Sequence, residues 1–193
     1  FWAWSTENWQ RDGQEVAGMM RLFRHVIKKR WQRLHEKGVR VRAIGDISKF
    51  PADIRQALED VVEQTKDNKA ITAVFALNYG GRDELLRAIN KILHAYSSSE
   101  LKASREETLN SSRLRSNNII AEEVFSHFLD TAGIPDPDLI IRTGGEQRLS
   151  GFFLWQSQYS ELWFPHWYMP EFTPERLDEG IEEFNKRKRR FGR

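Results

Sequence analysis

Residues 71–81 read Ile-Thr-Ala-Val-Phe-Ala-Leu-Asn-Tyr-Gly-Gly, and this stretch decides the fold class. Its first seven residues form a nearly continuous apolar run, which is typical of a strand that is covered on both faces of a parallel sheet. The polar turn at 78–81 leads into a helical pattern marked by Leu85, Ile89 and Ile92. A buried strand that passes through a short turn into an amphipathic helix is the building unit of α/β proteins.

The same unit recurs on both sides of this stretch. The pattern predicts further strands at 1–4, 39–44, 138–142 and 162–164. It predicts helices from Glu15 towards Gly38, from Pro51, from 120 to 131 and from Pro174. Residues 97–118 are rich in Ser, Arg, Glu and Asn, which indicates a mobile loop or a loosely held helical excursion. We therefore predict a single α/β domain, with a largely parallel central sheet flanked by helices.

The composition excludes several classes of protein. With 193 residues, of which 39% are hydrophobic and 30% charged, the chain is suited to one packed domain. No apolar run reaches the roughly 18 residues that span a bilayer. The absence of cysteine excludes a disulfide scaffold and a thiol nucleophile, and it fits a cytoplasmic protein. A net charge of only +2 gives no general attraction to nucleic acid.

Polar clusters follow four of the predicted strands, at 5–9, 45–46, 78–82 and 142–150. In open α/β sheets, ligands bind beyond the carboxyl ends of the strands. The last cluster is the richest, because Arg142 and Arg148 flank a double-glycine turn that is followed by Ser150. Guanidinium groups bind phosphate oxygens, and glycines let backbone N–H groups approach them. The spacing is equally compatible with an exposed turn that carries solvated arginines.

The sequence gives weaker support for a nucleotide-binding loop or a metal site. The chain has no Gly-x-x-x-x-Gly-Lys-Ser/Thr sequence, and its five histidines are not at metal-ligand spacing. Asp136 and Asp138 flank Pro137, where capping of a turn is more typical than binding of a cation. Glu161 lies in an apolar stretch and therefore needs a charged partner or a metal.

Several longer strings occur in order along the chain. They are Ser5-Thr6-Glu7-Asn8-Trp9-Gln10-Arg11, Ile44-Gly45-Asp46, Asn78-Tyr79-Gly80-Gly81-Arg82, Asp136-Pro137-Asp138-Leu139-Ile140-Ile141-Arg142-Thr143-Gly144-Gly145-Glu146, Phe153-Leu154-Trp155-Gln156 and Arg189-Arg190-Phe191-Gly192. Together they closely resemble the cis-prenyltransferases, the undecaprenyl diphosphate synthase family. The resemblance runs from Phe1 to Gly192 and is weakest across 97–118.

The resemblance implies a transferase that adds isopentenyl diphosphate in cis to an allylic primer such as farnesyl diphosphate. The product would be a polyprenyl diphosphate that serves as a lipid carrier for the cell wall. By similarity, Asn8 would accept the proton at the condensing carbon. The residues expected to bind substrate are Ser5, Thr6, Glu7, Trp9, Arg11, Arg142, Arg148, Leu149 and Ser150. An apolar tunnel for the growing lipid would be walled by Ala3, Met20, Phe23 and residues 85–93.

The resemblance also implies a cofactor and partners. Glu161 matches the Mg²⁺-binding glutamate of the family, which helps to complete the metal site in a homodimer. Arg190 and Gly192 match a C-terminal element that reaches a diphosphate across that dimer. The lipid product would bring the protein into peripheral contact with a membrane, and nucleic acid is not an expected partner.

Two departures from the family pattern accompany this resemblance. The opening Met-Asp-Gly-Asn-Arg-Arg-Trp signature, which carries a Mg²⁺-binding aspartate, does not occur in the sequence, so we expect these 193 residues alone to be inactive. Gln147 and Gly151 stand where His and Asn are common. The alternative function is a non-catalytic or degenerate subunit of a cis-prenyltransferase complex. The anion-binding residues Arg142, Arg148 and Ser150 argue against that alternative.

Overall fold

The computed structural model describes residues 1–97 and 119–188. Apart from Ser97, which ends a helix, the loop predicted at 97–118 lies outside the described residues, and so do Arg190 and Gly192. The chain divides into two compact units, Phe1–Ala132 and the part that follows from Gly133.

The first unit contains a three-stranded parallel sheet with helices. Its strands are β1 (Trp2–Ser5), β2 (Val39–Ile44) and β3 (Ile71–Tyr79), and its helices are α1 (Gly13–Glu36), α2 (Ala52–Thr65), α3 (Gly81–Ser97) and α4 (Glu122–Ser126). The strand order is β1-β3-β2, so the apolar strand β3 lies in the centre as its sequence predicts. The pairing of β2 with β3 runs in register from Val39 opposite Ile71 to Ile44 opposite Ala76. All three strands therefore end at the same edge of the sheet.

The second unit contains a two-stranded parallel sheet and one longer helix. Strand β4 (Leu139–Ile141) pairs with β5 (Glu161–Trp163), and helix α5 spans Pro174–Asn185. The helix begins as expected, because the Oγ1 of Thr173 accepts from the backbone N–H of Arg176. Its Gly180 lies against Trp163, where a Cβ atom would come within 2.7 Å of the indole ring. This helix therefore packs more closely on β5 than any larger residue would permit.

The predicted fold class is confirmed, since the strands of the described residues pair in parallel and helices separate β1, β2, β3 and β4 along the chain. Two elements are shorter than predicted: the strand expected at 138–142 spans Leu139–Ile141, and the helix expected at 120–131 spans Glu122–Ser126. The helix expected at 120–131 ends at Ser126 and continues as turns. A tertiary contact accounts for this, because the backbone N–H of Asp130 donates to Oε1 of Glu84 at 3.0 Å rather than to a helical carbonyl.

The core of the first unit is aromatic and aliphatic. Its fully buried members are Trp4, Met20, Phe50, Ile54, Leu58 and Leu77. Phe23 packs against this cluster, so two of the residues expected to wall a lipid tunnel, Met20 and Phe23, lie together. Leu86 and Leu93 on α3 are 60% exposed, and Ala3 is also exposed. A tunnel between these groups remains a prediction.

Candidate functional site

Asn78 connects the exits of all three strands in the first unit. It is 1% exposed, and its φ of 49° lies in the left-handed region that asparagine tolerates better than most residues. Its Nδ2 donates to the carbonyl of Asp46 at 2.7 Å, and its Oδ1 accepts from the Nε1 of Trp9 at 2.7 Å. One amide side chain therefore joins the turn after β2 to the loop after β1. Asn78 stands in the sequence motif at 78–82, and that motif alone predicts no role for it.

Gly80 makes room for the same loop. A Cβ atom at this position would lie 2.4 Å from the Oγ1 of Thr6, a distance that real Cβ atoms do not reach. In addition, the Nε1 of Trp2 donates to the carbonyl of Tyr79 at 3.0 Å. The turn after β3 and the loop after β1 are thus in direct contact, and the sequence motifs at 5–9 and 78–82 meet at the sheet edge as predicted.

The loop after β1 forms a 3₁₀ turn over Thr6–Gln10. The Oδ1 of Asn8 accepts from the backbone N–H of Ser5 at 2.8 Å, which occupies one of the two lone pairs of that oxygen. Trp9 packs edge-on against Trp4, with ring centroids 5.4 Å apart. Glu7 and Arg11 are exposed, and Arg11 pairs with Glu15 at 2.5 Å. The apolar side of the loop is therefore anchored, while its charged residues face solvent.

A buried polar network contacts the same edge of the three-stranded sheet. The hydroxyl of Tyr79 donates to Glu84 at 2.5 Å, and Glu84 is only 1% exposed. Both terminal nitrogens of Arg87 donate to Asp130, which also accepts from the backbone N–H of Gly45 at 3.1 Å. Burial, followed by the bond to Glu84, raises the pKa of Tyr79 far above its usual range. Tyr79 therefore remains a neutral donor at all physiological pH values.

The second unit brings together three of the predicted anion-binding residues. The Nη1 of Arg142 donates to the carbonyl of Arg148 at 2.5 Å and to the Oγ of Ser150 at 2.9 Å. Ser150 adopts a φ of 50°, and Phe152 donates its N–H to the carbonyl of Leu149 at 2.9 Å, so the turn is tight. The side chain of Arg148 is 59% exposed and pairs with Glu146. The guanidinium group of Arg142 thus contacts the hydroxyl of Ser150 and the backbone of Arg148, while the side chain of Arg148 pairs with Glu146.

The double glycine in this turn has a different role from the one expected. Gly144 and Gly145 have φ values of 90° and 74°, a conformation that favours glycine. Their N–H groups donate to the carbonyls of Trp167 and Pro165, each at 2.8 Å. These two N–H groups are therefore satisfied within the unit and are not free to approach a phosphate.

Glu161 has the charged partner that its apolar surroundings require. The Nη1 of Arg187 donates to the Oε2 of Glu161 at 3.0 Å and to the carbonyl of Leu162 at 2.9 Å. Within residues 1–97 and 119–188, no group of three or more His, Asp or Glu side chains could hold a metal ion. Mg²⁺ commonly takes only one or two protein carboxylates and completes its shell with phosphates and water. Glu161 fits such an ion as a single oxygen donor.

The chain is similar to known proteins along nearly its whole length. A family model described as "Putative undecaprenyl diphosphate synthase" matches residues 1–192. The chain is 43% identical over 191 residues to an isoprenyl transferase of Clostridium perfringens, covering 99% of this chain and 70% of that protein. It is 46% identical over 190 residues to an isoprenyl transferase of Rhizobium meliloti, covering 98% of this chain and 71% of that protein.

Solved structures give the same result. A probable undecaprenyl diphosphate synthase from Campylobacter jejuni matches with a TM-score of 0.81 and 32% identity, over 100% of this chain and 81% of that one. A second match is lavandulyl diphosphate synthase from Lavandula x intermedia, in complex with dimethylallyl diphosphate. Its TM-score is 0.84 and its identity is 31%, over 100% of this chain and 77% of that one. The chain belongs to the cis-prenyltransferase family. It is a prenyl-transferring enzyme of the undecaprenyl diphosphate synthase type.

Proposed function

We propose that the protein condenses isopentenyl diphosphate in cis onto an allylic diphosphate such as farnesyl diphosphate, producing a polyprenyl diphosphate lipid carrier. The observation that supports this proposal is the contact of the Arg142 guanidinium with the hydroxyl of Ser150 and with the backbone carbonyl of Arg148. Arginine is suited to diphosphate because its planar guanidinium donates two parallel hydrogen bonds to phosphate oxygens and stays charged.

In each condensation a carbon–carbon bond forms between the two substrates, the C–O bond to the allylic diphosphate breaks, and isopentenyl diphosphate loses a proton. We assign Arg142 and Arg148 to the diphosphate of isopentenyl diphosphate, with the hydroxyl of Ser150 as an additional donor and Leu149 positioning the turn. Cations that are in place before isopentenyl diphosphate binds orient the reactive carbon of this substrate, and they need not rearrange during the reaction. The loop after β1 provides the other substrate-binding residues, Ser5, Thr6, Glu7, Trp9 and Arg11.

Asn8 is the residue that we assign to the condensing carbon. A neutral amide is a weak base, so Asn8 would accept the proton only in passing, and the proton would end on the pyrophosphate that the condensation releases. The Oδ1 of Asn8 retains one lone pair beside its bond to Ser5, and its Nδ2 group can donate to a substrate oxygen.

We further propose that Mg²⁺ and a homodimer complete the site. Glu161 would supply one oxygen to Mg²⁺, with Arg187 as its existing counter-ion. When bound, Mg²⁺ neutralises diphosphate charge and stabilises the departing pyrophosphate. Arg190 and Gly192 are assigned to a diphosphate contact across the dimer, by the family resemblance alone. The alternative, a non-catalytic subunit, has no support from the isoprenyl transferases that the chain resembles.

The test is a radiolabelled chain-extension assay with the protein expressed from its complete reading frame. Arg148→Ala should raise KM for isopentenyl diphosphate by about 30-fold, because a charge-assisted contact to an anion is worth roughly 2 kcal/mol or more. KM for farnesyl diphosphate should change far less. Arg176→Ala is the matched control, since Arg176 is also a half-exposed arginine of the second unit that pairs with a glutamate. Equal KM values in the two variants would remove Arg148 from the substrate site.

A further inference from the structure

The turn after β2 is held by hydrogen bonds from two sides. Gly45 has a φ of 101°, and a Cβ atom there would lie 2.2 Å from the carbonyl oxygen of Leu77. On one side, the carbonyl of Asn78 accepts from the N–H of Asp46 at 3.3 Å, and its Nδ2 donates to the carbonyl of Asp46 at 2.7 Å. On the other side, the N–H of Gly45 donates to the Oδ2 of Asp130 at 3.1 Å, across 85 positions of sequence.

Asp130 is itself firmly attached to helix α3. Its side chain is 9% exposed, and its two carboxylate oxygens accept from both terminal nitrogens of Arg87, at 2.6 and 2.5 Å. The backbone N–H of Asp130 donates to Glu84 at 3.0 Å. Arg87 is fixed in turn, because its Nε donates to Asp83 at 2.7 Å. Residues of α3 therefore determine where the carboxylate of Asp130 lies.

Stability alone does not account for this largely buried ion pair. Taking two charges out of water costs free energy that their attraction offsets only in part, and apolar side chains can often replace such a pair without loss of stability. An apolar pair would fill the same space, but it would leave the N–H of Gly45 without an acceptor. The Oδ2 of Asp130 accepts from Arg87 and also from the backbone of the turn. The polar pair is therefore suited to fixing the turn.

The turn extends this attachment to the substrate-binding loop. The Oδ1 of Asn78 accepts from the Nε1 of Trp9 at 2.7 Å, and Trp9 belongs to the 3₁₀ turn that also carries Asn8. Within the part of the chain that the structure describes, the carboxylate of Asp130 has no bond to a residue that we assign to substrate. Its effect on the reaction therefore passes through the turn after β2.

We propose that Asp130, held by Arg87, is a positioning residue for prenyl transfer. It fixes the turn after β2 and, through Asn78, holds Trp9 and its loop in the conformation that the condensation requires. This inference deepens the proposed function and rests on it for its kinetic consequence. Its structural consequence, a fixed indole at Trp9, does not depend on which reaction the protein catalyses.

Two variants separate positioning from stability. The first, which we name the double variant, combines Arg87→Met with Asp130→Leu. It removes both charges of the pair together, but it deprives the N–H of Gly45 of its acceptor. The second variant, Asp130→Asn, does the reverse, because its amide oxygen can still accept from Gly45 while Arg87 loses its charged partner. The double variant should therefore be the less active of the two, and Asp130→Asn the less stable.

Chain extension and thermal melting are measured on the protein expressed from its complete reading frame. In the double variant, kcat should fall about tenfold or more, since misplacing reacting groups by roughly 1 Å costs up to about 100-fold. KM for isopentenyl diphosphate should change by less than about threefold, because Arg142 and Arg148 take no part in these bonds. Asp130→Asn should keep kcat within about threefold of wild type, although it melts at a lower temperature.

Hydrogen exchange of the Trp9 indole reports on the loop without an activity assay. Its N–H signal in a ¹H–¹⁵N spectrum is identified by its absence in Trp9→Phe. The double variant should speed this exchange about tenfold, because the bond to Asn78 opens more often when the turn is free to move. Asp130→Asn should leave the exchange rate near that of wild type.

The matched control combines Arg24→Met with Asp53→Leu. These residues also form a two-bond arginine–aspartate pair of the first unit, with distances of 2.5 and 3.1 Å. In the described part of the chain, neither side chain is bonded to a turn at the sheet edge. The control should therefore leave kcat, KM and the exchange of the Trp9 indole unchanged.

Three results would overturn the positioning role. One is a folded double variant whose kcat and Trp9 exchange equal those of wild type. Another is a kcat that follows the melting temperature across the double variant, Asp130→Asn and the control, because the ion pair would then be structural only. The third is a loss in kcat of more than about tenfold in Asp130→Asn, which keeps the acceptor for Gly45.

The two readouts also keep this inference separate from the proposed function. A wild-type protein that transfers no prenyl group, but whose Trp9 exchange responds to the double variant, would contradict the proposed function and support the link from Asp130 to the loop. An active wild-type protein whose Trp9 exchange and kcat ignore the double variant would contradict the positioning role alone.

Discussion

Replacing Asn78 by aspartate tests whether one buried amide holds the strand exits together. The side chain keeps its size and its tolerance of a φ of 49°, and it can still accept from Trp9. It loses the Nδ2 donor and places a carboxylate 2.7 Å from the carbonyl of Asp46 at a position that is 1% exposed. The substitution therefore removes one hydrogen bond and buries an unpaired charge.

The cost follows from the pKa of the introduced carboxyl group. Burial and the facing carbonyl disfavour ionisation, and an increase of about two units over the ordinary value near 4 corresponds to about 3 kcal/mol at pH 7. Because the pKa is raised in the folded state, the unfolded chain ionises first as the pH rises. The stability of the variant relative to wild type should thus be nearly normal below about pH 4. It should fall as the pH rises through the pKa of the carboxyl group in the unfolded chain and then its pKa in the folded protein, and level off above both.

Urea unfolding between pH 4 and pH 8 measures this effect. We expect a difference of about 3 kcal/mol in the free energy of unfolding at pH 7, shrinking towards pH 4. A variant as stable as wild type at pH 7, or a loss that does not depend on pH, would refute the assignment of both hydrogen bonds to Asn78.

A double-mutant cycle extends the test to activity. Asn78→Gly keeps the backbone conformation but loses both hydrogen bonds, including the one from Trp9, whereas Trp9→Phe removes only the indole donor. If Asn78 positions the loop through Trp9, the effects of these two substitutions on kcat/KM should be less than additive. The pair Asn78→Asp and Trp9→Phe should instead cost more than the sum of the two, because Trp9 is the remaining donor to the buried carboxylate. Additive effects in both pairs would show that Asn78 does not act through Trp9.

Four further substitutions have expected outcomes. Gly180→Ala should lower the free energy of unfolding in urea by about 1–3 kcal/mol, because the added Cβ atom would lie 2.7 Å from the indole of Trp163. Gly18→Ala should raise the free energy of unfolding by up to about 1 kcal/mol, because the added Cβ atom would meet only a flexible side chain at 3.7 Å. Tyr79→Phe leaves the buried carboxylate of Glu84 without its 2.5 Å donor and should cost about 1–3 kcal/mol in the same assay, and an unchanged stability would contradict that bond. Glu161→Gln should raise the Mg²⁺ concentration needed for half-maximal prenyl transfer about tenfold. The melting temperature of this variant should stay within a few degrees of wild type. An unchanged Mg²⁺ dependence would remove Glu161 from the metal site.

The sequence by itself determined the fold class and the order of elements. The apolar run at 71–77 predicted the central strand, and the 3.6-residue pattern predicted α1, because both patterns are local consequences of which face of an element is buried. The ordered strings along the chain identified the family, which the relatives then confirmed. These features depend on residues that are close in the sequence, so they are visible without coordinates.

The tertiary structure alone decided how the polar groups are paired. Asn78 binds Trp9 across 69 positions, and Arg187 binds Glu161 across 26. The N–H groups of Gly144 and Gly145 bond within the fold instead of facing a ligand. A hydrogen bond depends on atoms placed within about 3 Å and aligned, and local patterns carry no information about which distant segment arrives there. Residue types therefore indicated which chemistry was available, and the packing of distant segments decided which groups remain free to perform it.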